Sequence, residues 1–180
     1  MKHIRIFEEY MDIDQICKQY RIKNYTINPD GTVDVDGDVY LQNRELKTLP
    51  LRFGRVSGSF WCNNNELTSL EGCPKEVGGH FSCAHNQLTT LEGCPKEMSG
   101  SFWCYHNQLT TLEGCTKEMG GNFWYYDNPL PEEVLQLQDN QPYVHWMIKW
   151  HEDYSIFNLN GTFNKYRFDQ MMIDLKEELG

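Results

Sequence analysis

The cysteines and histidines of this chain are the residues whose types and spacing could indicate metal binding or catalysis. Six of the seven cysteines occupy two positions that recur every 21 residues: Cys62, Cys83 and Cys104, and Cys73, Cys94 and Cys115. The two positions lie eleven residues apart, unlike the CxxC spacing of a zinc knuckle, which argues against a metal site. A free thiol also serves as a small buried apolar group. We therefore expect buried, reduced cysteines, with Cys17 in a packing role, and a reducing compartment.

Two histidines, His85 and His106, stand at equivalent positions 21 residues apart. Neighbouring strands lie about 4.8 Å apart, so these imidazoles would be close enough to share a metal or another ligand. Asn64 and Asp127 take the same position in the flanking units, which favours surface histidines at a variable position over a metal site. The sequence has no Ser-His-Asp set, phosphate-binding loop or HExxH motif. We accordingly expect a protein without catalytic residues, metal or cofactor.

A repeat of 21 residues must position these side chains. Its three complete units begin at Phe60, Phe81 and Phe102, and the last of them reads FWCYHNQLTTLEGCTKEMGGN. A degenerate unit over 39–59 precedes them and a partial unit over 123–130 follows. Alternating Phe and Cys predict a short half-buried strand, and a glycine pair before the next strand is expected to supply a permissive backbone. One unit is too small to enclose a core, so stacked units must bury these residues in columns.

An asparagine recurs where each strand ends, at Asn65, Asn86, Asn107 and Asn128. A buried amide there can bond backbone groups of its own turn and of the neighbouring turn. The pattern F-x-C-x-x-N-x-L-x-x-L over 39–130 resembles the signature of leucine-rich-repeat proteins. The variant N-x-L-T-x-L-E-G-C-P-K-E resembles small repeat proteins of tailed bacteriophages and some bacteria. The resemblance implies an α/β (α+β) fold, a short solenoid with a parallel strand ladder.

Three segments organise the chain. We predict an N-terminal helix and hairpin cap over 1–38, the solenoid over 39–130 and a C-terminal helical cap over 131–180, because a solenoid must cover its ends. The Pro-Asp-Gly turn over 29–31 separates two alternating runs and predicts the hairpin. Apolar residues at helical spacing predict the last helix: Phe168, Met171, Met172, Leu175 and Leu179.

The net charge of −10 disfavours binding to nucleic-acid phosphates, which requires clustered Lys and Arg. No apolar run reaches the roughly 20 residues that span a bilayer, and the N-terminus lacks the apolar core of a secretory signal. We therefore expect a cytoplasmic protein, located in the host cytoplasm if a phage encodes it, without a membrane or direct nucleic-acid partner. Adjacent lysines and glutamates that recur from Lys75-Glu76 onwards are expected to neutralise each other.

The units differ mainly at the strand positions that alternate with the buried residues. The first such position carries Tyr40, Trp61, Ser82, Trp103 and Trp124, and the second carries Gln42, Asn63, Ala84, Tyr105 and Tyr126. Strand alternation turns these side chains outward, onto what we expect to be the concave surface of the sheet. Exposed apolar patches mark contact surfaces, and Trp and Tyr are enriched at binding hot spots.

We predict a protein-binding site on this surface. Its residues are Tyr40, Trp61, Asn63, His80, His85, Trp103, Tyr105, His106, Trp124 and Tyr126. For Trp124 and Tyr126, burial beneath the C-terminal cap is the alternative. The resemblance to phage proteins implies an inhibitor of a bacterial host defence protein, with the partner's identity and the oligomeric state left open.

Two other functions compete with protein binding. An acidic nucleic-acid mimic would use the negative charge of the C-terminal segment. An enzyme or effector adaptor is the third hypothesis, because bacterial effector ligases resemble this array in their repeats. Those ligases add a catalytic domain with a cysteine nucleophile, and no cysteine follows Leu130, which counts against it.

Overall fold

The repeat folds into a β-solenoid with helices at its ends. The structure is a computed structural model that describes residues 13–179, with the side chain of Leu179 outside the described part. Residues 1–12 of the predicted N-terminal cap also lie outside it. Residues one period apart pair across parallel strands, as Phe60 does with Phe81 and Phe81 with Phe102. The predicted α+β solenoid with a parallel strand ladder is confirmed.

The elements follow one another in this order along the chain. Helix α1 includes residues 13–20. The strands are β1 Tyr25–Ile27, β2 Val33–Val35, β3 Val39–Tyr40, β4 Phe53–Val56, β5 Phe60–Trp61, β6 Glu76–Val77, β7 Phe81–Ser82, β8 Glu97–Met98, β9 Phe102–Trp103, β10 Glu118–Met119 and β11 Phe123–Trp124. The C-terminal helices are α2 Glu132–Leu135, α3 Gln141–Trp150 and α4 Lys165–Leu179. Within residues 13–179, no helix has both the length and the apolar character needed to cross a membrane.

Each complete coil contributes one strand to each of two sheets. The five-stranded sheet has the order β11-β9-β7-β5-β3 and is parallel throughout. The six-stranded sheet has the order β1-β2-β4-β6-β8-β10, in which β1 and β2 form the predicted antiparallel hairpin. The sequence does not predict the six-stranded sheet. Three of its strands are only two residues long, and each begins with an exposed glutamate, so they carry too little alternation to be recognised.

The core consists of stacked side chains from successive coils. The phenylalanines that begin the coils form a column with neighbouring ring centroids 5.0 to 5.9 Å apart: Phe60, Phe81, Phe102 and Phe123. Phe53 of the six-stranded sheet packs edge-on against Phe60, with centroids 5.0 Å apart. The column therefore connects the two sheets and the coils from Phe60 onwards, and each buried side chain of this size contributes about 1.5–3 kcal/mol to stability.

The cysteines are buried packing groups, as predicted. All seven are free and buried. Burial raises the pKa of Cys17 to about 11 and the pKa of Cys94 to about 12. Both thiols are therefore protonated at neutral pH and lack nucleophilic character. The Cys94 thiol also donates to the Gly114 carbonyl of the next coil at 3.0 Å, so it links coils as well as filling space.

The asparagine column joins consecutive coils by hydrogen bonds. The Nδ2 group of Asn107 donates to the Cys104 carbonyl in its own coil at 2.9 Å and to the Cys83 carbonyl in the preceding coil at 3.1 Å. Its Oδ1 accepts from the Leu88 N–H at 3.0 Å. Asn86 and Asn128 repeat the same three bonds. Each amide thereby satisfies backbone groups that would otherwise be buried without partners.

A glycine column marks a place where consecutive backbones approach each other closely. Its members are Gly58, Gly79, Gly100 and Gly121. A Cβ at Gly100 would lie 2.7 Å from the carbonyl carbon and oxygen of Gly79. These glycines do not have positive φ, unlike Gly72, Gly93 and Gly114 in the turns. The expected permissive backbone is therefore not the reason for glycine here, and the reason is the space between coils.

We expect Gly100→Ala to lower the free energy of unfolding by about 1–3 kcal/mol, because the added methyl group overpacks against the preceding backbone. Ser99→Ala at the exposed neighbouring position is the matched control and should change stability by less than about 0.5 kcal/mol. Urea unfolding followed by circular dichroism measures both variants. Equal effects of the two substitutions would contradict the close approach.

The C-terminal cap closes the last coil with side chains that imitate another strand. The Gln141 side chain accepts from the Phe123 N–H at 2.9 Å and donates to the Phe123 carbonyl at 3.2 Å. Tyr125 takes the place of the strand cysteine in this coil, and its buried hydroxyl donates to the Val134 carbonyl at 2.9 Å. These bonds satisfy the backbone at an edge that would otherwise stay open. The apolar stripe predicted for α4 is also buried at Phe168, Met171 and Leu175.

A buried histidine in this cap predicts a pH dependence of stability. Nδ1 of His151 lies 2.8 Å from the Ile148 carbonyl. Because a carbonyl only accepts, Nδ1 carries the proton, while Nε2 is buried without a partner. Burial lowers the pKa of His151. The unfolded chain therefore binds a proton more readily, and stability is lost as the pH falls from about 6.5 through the lower pKa of the folded state.

We expect the free energy of unfolding to decrease between pH 7.5 and pH 5, with a smaller decrease in His151→Asn, which keeps a donor for Ile148. Urea unfolding at several pH values measures the slope. His85→Asn is the control, because burial and the neighbouring His106 also lower the pKa of His85, but its side chain is exposed. A slope that is unchanged in His151→Asn would contradict the assignment.

Candidate binding face on the five-stranded sheet

The outward side chains of the five-stranded sheet form one surface, which we call the aromatic face. Its first column contains Tyr40, Trp61, Ser82, Trp103 and Trp124, and its second contains Gln42, Asn63, Ala84, Tyr105 and Tyr126. In-register parallel pairing places each residue beside its equivalent in the next coil, as Trp103 lies beside Trp124. The phenylalanines beside the first column are buried, whereas the three tryptophans are half-buried. The predicted alternation is therefore correct for these strands.

Trp61 and Trp103 form a stack although a whole coil separates them. Their ring centroids lie 5.5 Å apart with an interplanar angle of 19°, whereas two strand spacings amount to about 9.6 Å. The rings therefore lean toward each other over Ser82, which is only 4% exposed. The His80 ring flanks the stack, with its centroid 5.1 Å from that of Trp103 and 6.3 Å from that of Trp61. Ser82 thus leaves space for a compact pair of tryptophans.

The second column of the aromatic face also contains a stacked pair of rings, which lies towards its C-terminal end. Tyr105 and Tyr126 stack with centroids 4.5 Å apart and an interplanar angle of 7°. Ala84, the preceding member, is 1% exposed. At the other end the amides of Gln42 and Asn63 each have an oxygen that is buried without a hydrogen-bond partner. The second column is therefore aromatic in its C-terminal part and amide-lined in its N-terminal part.

The histidines beside the second column occupy left-handed backbone positions. The value of φ is 54° at Asn64, 52° at His85, 53° at His106 and 51° at Asp127. Asn, Asp and His adopt this conformation more readily than most residues do, which explains the residue types at this position. The His85 and His106 rings stack at 4.3 Å, and Nε2 of His106 lies 3.2 Å from a carboxylate oxygen of Asp127. Within residues 13–179 no group of three or more His, Cys, Asp and Glu side chains is arranged to hold a metal.

His80 belongs to a column of hydrogen-bond acceptors that our sequence reasoning missed. Its equivalents in the other coils are Asp38, Ser59, Ser101 and Asn122. The Ser59 hydroxyl accepts from the His80 N–H at 3.0 Å, and Nδ1 of His80 accepts from the Ser101 N–H at 2.9 Å. Nδ1 is therefore unprotonated, and the proton of the neutral ring lies on Nε2. The sequence does contain a signal for this column, because every side chain at this repeat position carries a hydrogen-bond acceptor atom.

The C-terminal cap leaves the last coil of the face accessible. Trp124 and Tyr126 are half-buried, as Trp61, Trp103 and Tyr105 are. The ring that the cap buries is Tyr125, which points into the core. Tyr40 at the opposite end is 52% exposed, and its hydroxyl donates to Asp38 at 2.8 Å. Burial beneath the cap thus does not remove Trp124 and Tyr126 from the face.

The six-stranded sheet presents a different surface. Glu76, Glu97 and Glu118 lie side by side in register along it. Within the described chain, ion pairs join Glu76 to Arg55 at 3.4 Å and Lys117 to Glu152 at 2.7 Å. None joins these glutamates to the lysines beside them in sequence, so the mutual neutralisation that we expected is not found. Glu97 and Glu118 have no ion-pair partner within residues 13–179, so these two members of the column keep an uncompensated negative charge.

Comparisons of the chain with models of known protein families, with curated proteins and with solved structures give no match. The resemblance to leucine-rich-repeat proteins rests on the repeat pattern alone. What the protein does must therefore be inferred from its own surfaces.

Proposed function

We propose that this protein is a non-catalytic binding module that docks a partner protein on its aromatic face. The stack of Trp61 on Trp103 is the observation that carries the proposal. Both rings remain half-exposed while their neighbours hold them in place. Trp and Tyr dominate binding hot spots, and rings that are already ordered lose little conformational entropy when a partner binds.

The size and charge of the face favour a protein over a nucleic acid. Five strands at about 4.8 Å give a face about 20 Å long, which suits the apolar centre of a protein interface. Rows of aromatic rings can also stack on bases, but single-stranded nucleic acids need a positively charged groove as well. The chain has a net charge of −10, and the charged groups beside the face include Asp38 and Asp127.

We infer the kind of partner from the resemblance to small repeat proteins of phages. On that basis the partner is a protein of a bacterial host, such as a defence enzyme whose activity is blocked sterically, and docking takes place in the host cytoplasm. A nucleic-acid mimic is the competing function. The aligned carboxylates of Glu76, Glu97 and Glu118 are the observation that favours it.

Affinity capture at two salt concentrations separates these two functions. The immobilised protein is exposed to a lysate of the bacterial host at about 0.1 M and at about 0.5 M salt. Salt screens exposed charges, so the higher concentration weakens an interaction that depends on them. The matched variant Glu76→Gln/Glu97→Gln/Glu118→Gln removes the acidic column. We expect one protein to be retained at both salt concentrations and equally by the variant. Loss of that protein at high salt and from the variant would overturn docking on the aromatic face in favour of the mimic.

A further inference from the structure

A second aromatic cluster lies in the C-terminal cap, away from the aromatic face. It consists of Trp146 and Trp150 on α3 and Tyr154 in the turn that follows. The Trp146 centroid lies 6.2 Å from that of Trp150 and 5.9 Å from that of Tyr154, with interplanar angles of 45° and 47°. The three rings are tilted rather than stacked, and they line one surface cavity of about 350 Å³. Trp146 is buried in the hydrophobic core, whereas Trp150 and Tyr154 pack against the core and stay half-buried, so these two rings are the accessible walls of the cavity.

Three carboxylates complete the lining of this cavity: Asp153, Asp174 and Glu178. The Tyr154 hydroxyl donates to Asp174, and the Trp146 indole N–H donates to Glu178 at 2.8 Å. These bonds fix α4 against α3 and hold the rings and the carboxylates in one assembly. Neither bond cancels a charge, so the cavity combines aromatic walls with a negative rim.

The charges around this position are mainly negative. Nζ of Lys149, which lies outside the cavity lining, sits 5.0 Å from the centroid of the Trp150 ring, and the three carboxylates of the lining outnumber its single positive charge. The cavity also lies at the C-terminal end of α3, where the helix dipole presents partial negative charge. The surroundings of the cavity are therefore complementary to a cation.

We propose that this cavity binds a trimethylammonium group. The positive charge of such a group is spread over its methyl groups, which donate no conventional hydrogen bond. The faces of aromatic rings bind cations of this kind. A primary ammonium or guanidinium group would need several acceptors to replace its water, and one oxygen of Asp174 and one oxygen of Glu178 are already engaged by Tyr154 and Trp146. A bare metal ion would prefer several oxygen ligands at close range over aromatic walls. The trimethylammonium group can belong to a small soluble molecule or to a lipid headgroup.

Titration with choline chloride tests the proposal, with 3,3-dimethylbutan-1-ol as the uncharged compound of the same shape. The indole N–H resonances of ¹⁵N-labelled protein report on each tryptophan separately. We expect choline to shift the Trp146 and Trp150 resonances saturably, and the neutral compound to bind roughly 5- to 30-fold more weakly, since it lacks the cation–π attraction. Equal affinities for the two compounds, or no shift at these two residues, would overturn the proposal.

Two variants and one control place the binding within the cavity. Trp150→Leu removes a half-buried ring, and Asp153→Asn/Asp174→Asn removes charge at constant shape, so we expect each to weaken choline binding by roughly 5-fold or more. Unshifted indole resonances of Trp61 and Trp103 show that these variants are folded. Trp103→Ser on the aromatic face should bind choline as the wild type does. Choline binding that is lost in Trp103→Ser and kept in Trp150→Leu would place the site on the aromatic face and contradict the proposal.

Vesicles separate the two sources of the group. Co-sedimentation with phosphatidylcholine vesicles but not with phosphatidylglycerol vesicles would assign the cavity to a lipid headgroup. Choline binding without co-sedimentation would assign it to a small soluble ligand. Both outcomes support the trimethylammonium site.

Discussion

A variant with Trp61→Ser, Trp103→Ser and Tyr105→Ala is expected to bind the partner protein at least ~100-fold more weakly than the wild type does. It truncates three residues, and truncating a single hot-spot residue already costs about 2 kcal/mol or more, which is roughly 30-fold in affinity. The new side chains are those that the chain itself carries one coil away, at Ser82 and Ala84, so the strands can accept them. Surface plasmon resonance with the captured partner measures the loss.

The same variant should remain folded. Loss of the stack between Trp61 and Trp103 is expected to lower the free energy of unfolding by about 0.5–1.5 kcal/mol beyond the loss of buried area. The matched control is Leu159→Ala/Tyr166→Ala, which removes two large apolar side chains of the C-terminal cap that are fully or largely exposed. We expect the control to keep full affinity. If the control loses affinity and the face variant keeps it, docking occurs on the cap and the proposed function is wrong.

Asn107→Ala is expected to lower the free energy of unfolding by about 3–4 kcal/mol, which is a large effect for one substitution. The Asn107 side chain is 8% exposed and bonds the Leu88 N–H and the carbonyls of Cys83 and Cys104. Alanine leaves all three backbone groups without that partner in a place that water reaches poorly, and each buried unsatisfied group costs about 1–3 kcal/mol. Urea unfolding measures the difference.

Asn65→Ala is the graded control for this prediction. Asn65 makes equivalent bonds but is half-buried, and it accepts from the N–H of Arg44, which is exposed. Water can replace part of what the amide supplies at this end, so we expect a loss of about 1–2 kcal/mol. Equal losses at Asn65 and Asn107 would show that burial of the amide is not the source of the stabilisation.

The columns of the solenoid could be predicted because residues one period apart lie side by side wherever units stack. Phe81 and Phe102 illustrate this, since their equivalent positions required them to pair across parallel strands. The buried role of Asn107 followed from the same period together with the needs of the backbone at a turn. Alternation also predicted that Trp61 and Trp103 point outward.

Other features depend on distances that the repeat pattern does not contain. The lean of Trp61 toward Trp103 depends on side-chain rotamers above Ser82, and the need for Gly100 depends on the spacing between coils. The cavity beside Trp150 forms only when α4 packs against α3. Both helices lie outside the repeat, so the repeat period does not predict how they pack.

Site-specific photo-cross-linking is the most direct test that a partner docks on the aromatic face. p-Benzoylphenylalanine is placed at Tyr105 on this face, at Glu97 on the six-stranded sheet and at Tyr166 on the cap, and each protein is irradiated in the presence of the captured partner. Docking on the aromatic face predicts a covalent adduct with that partner from position 105 and none from positions 97 and 166. An adduct from position 97 or 166, with none from position 105, would contradict it.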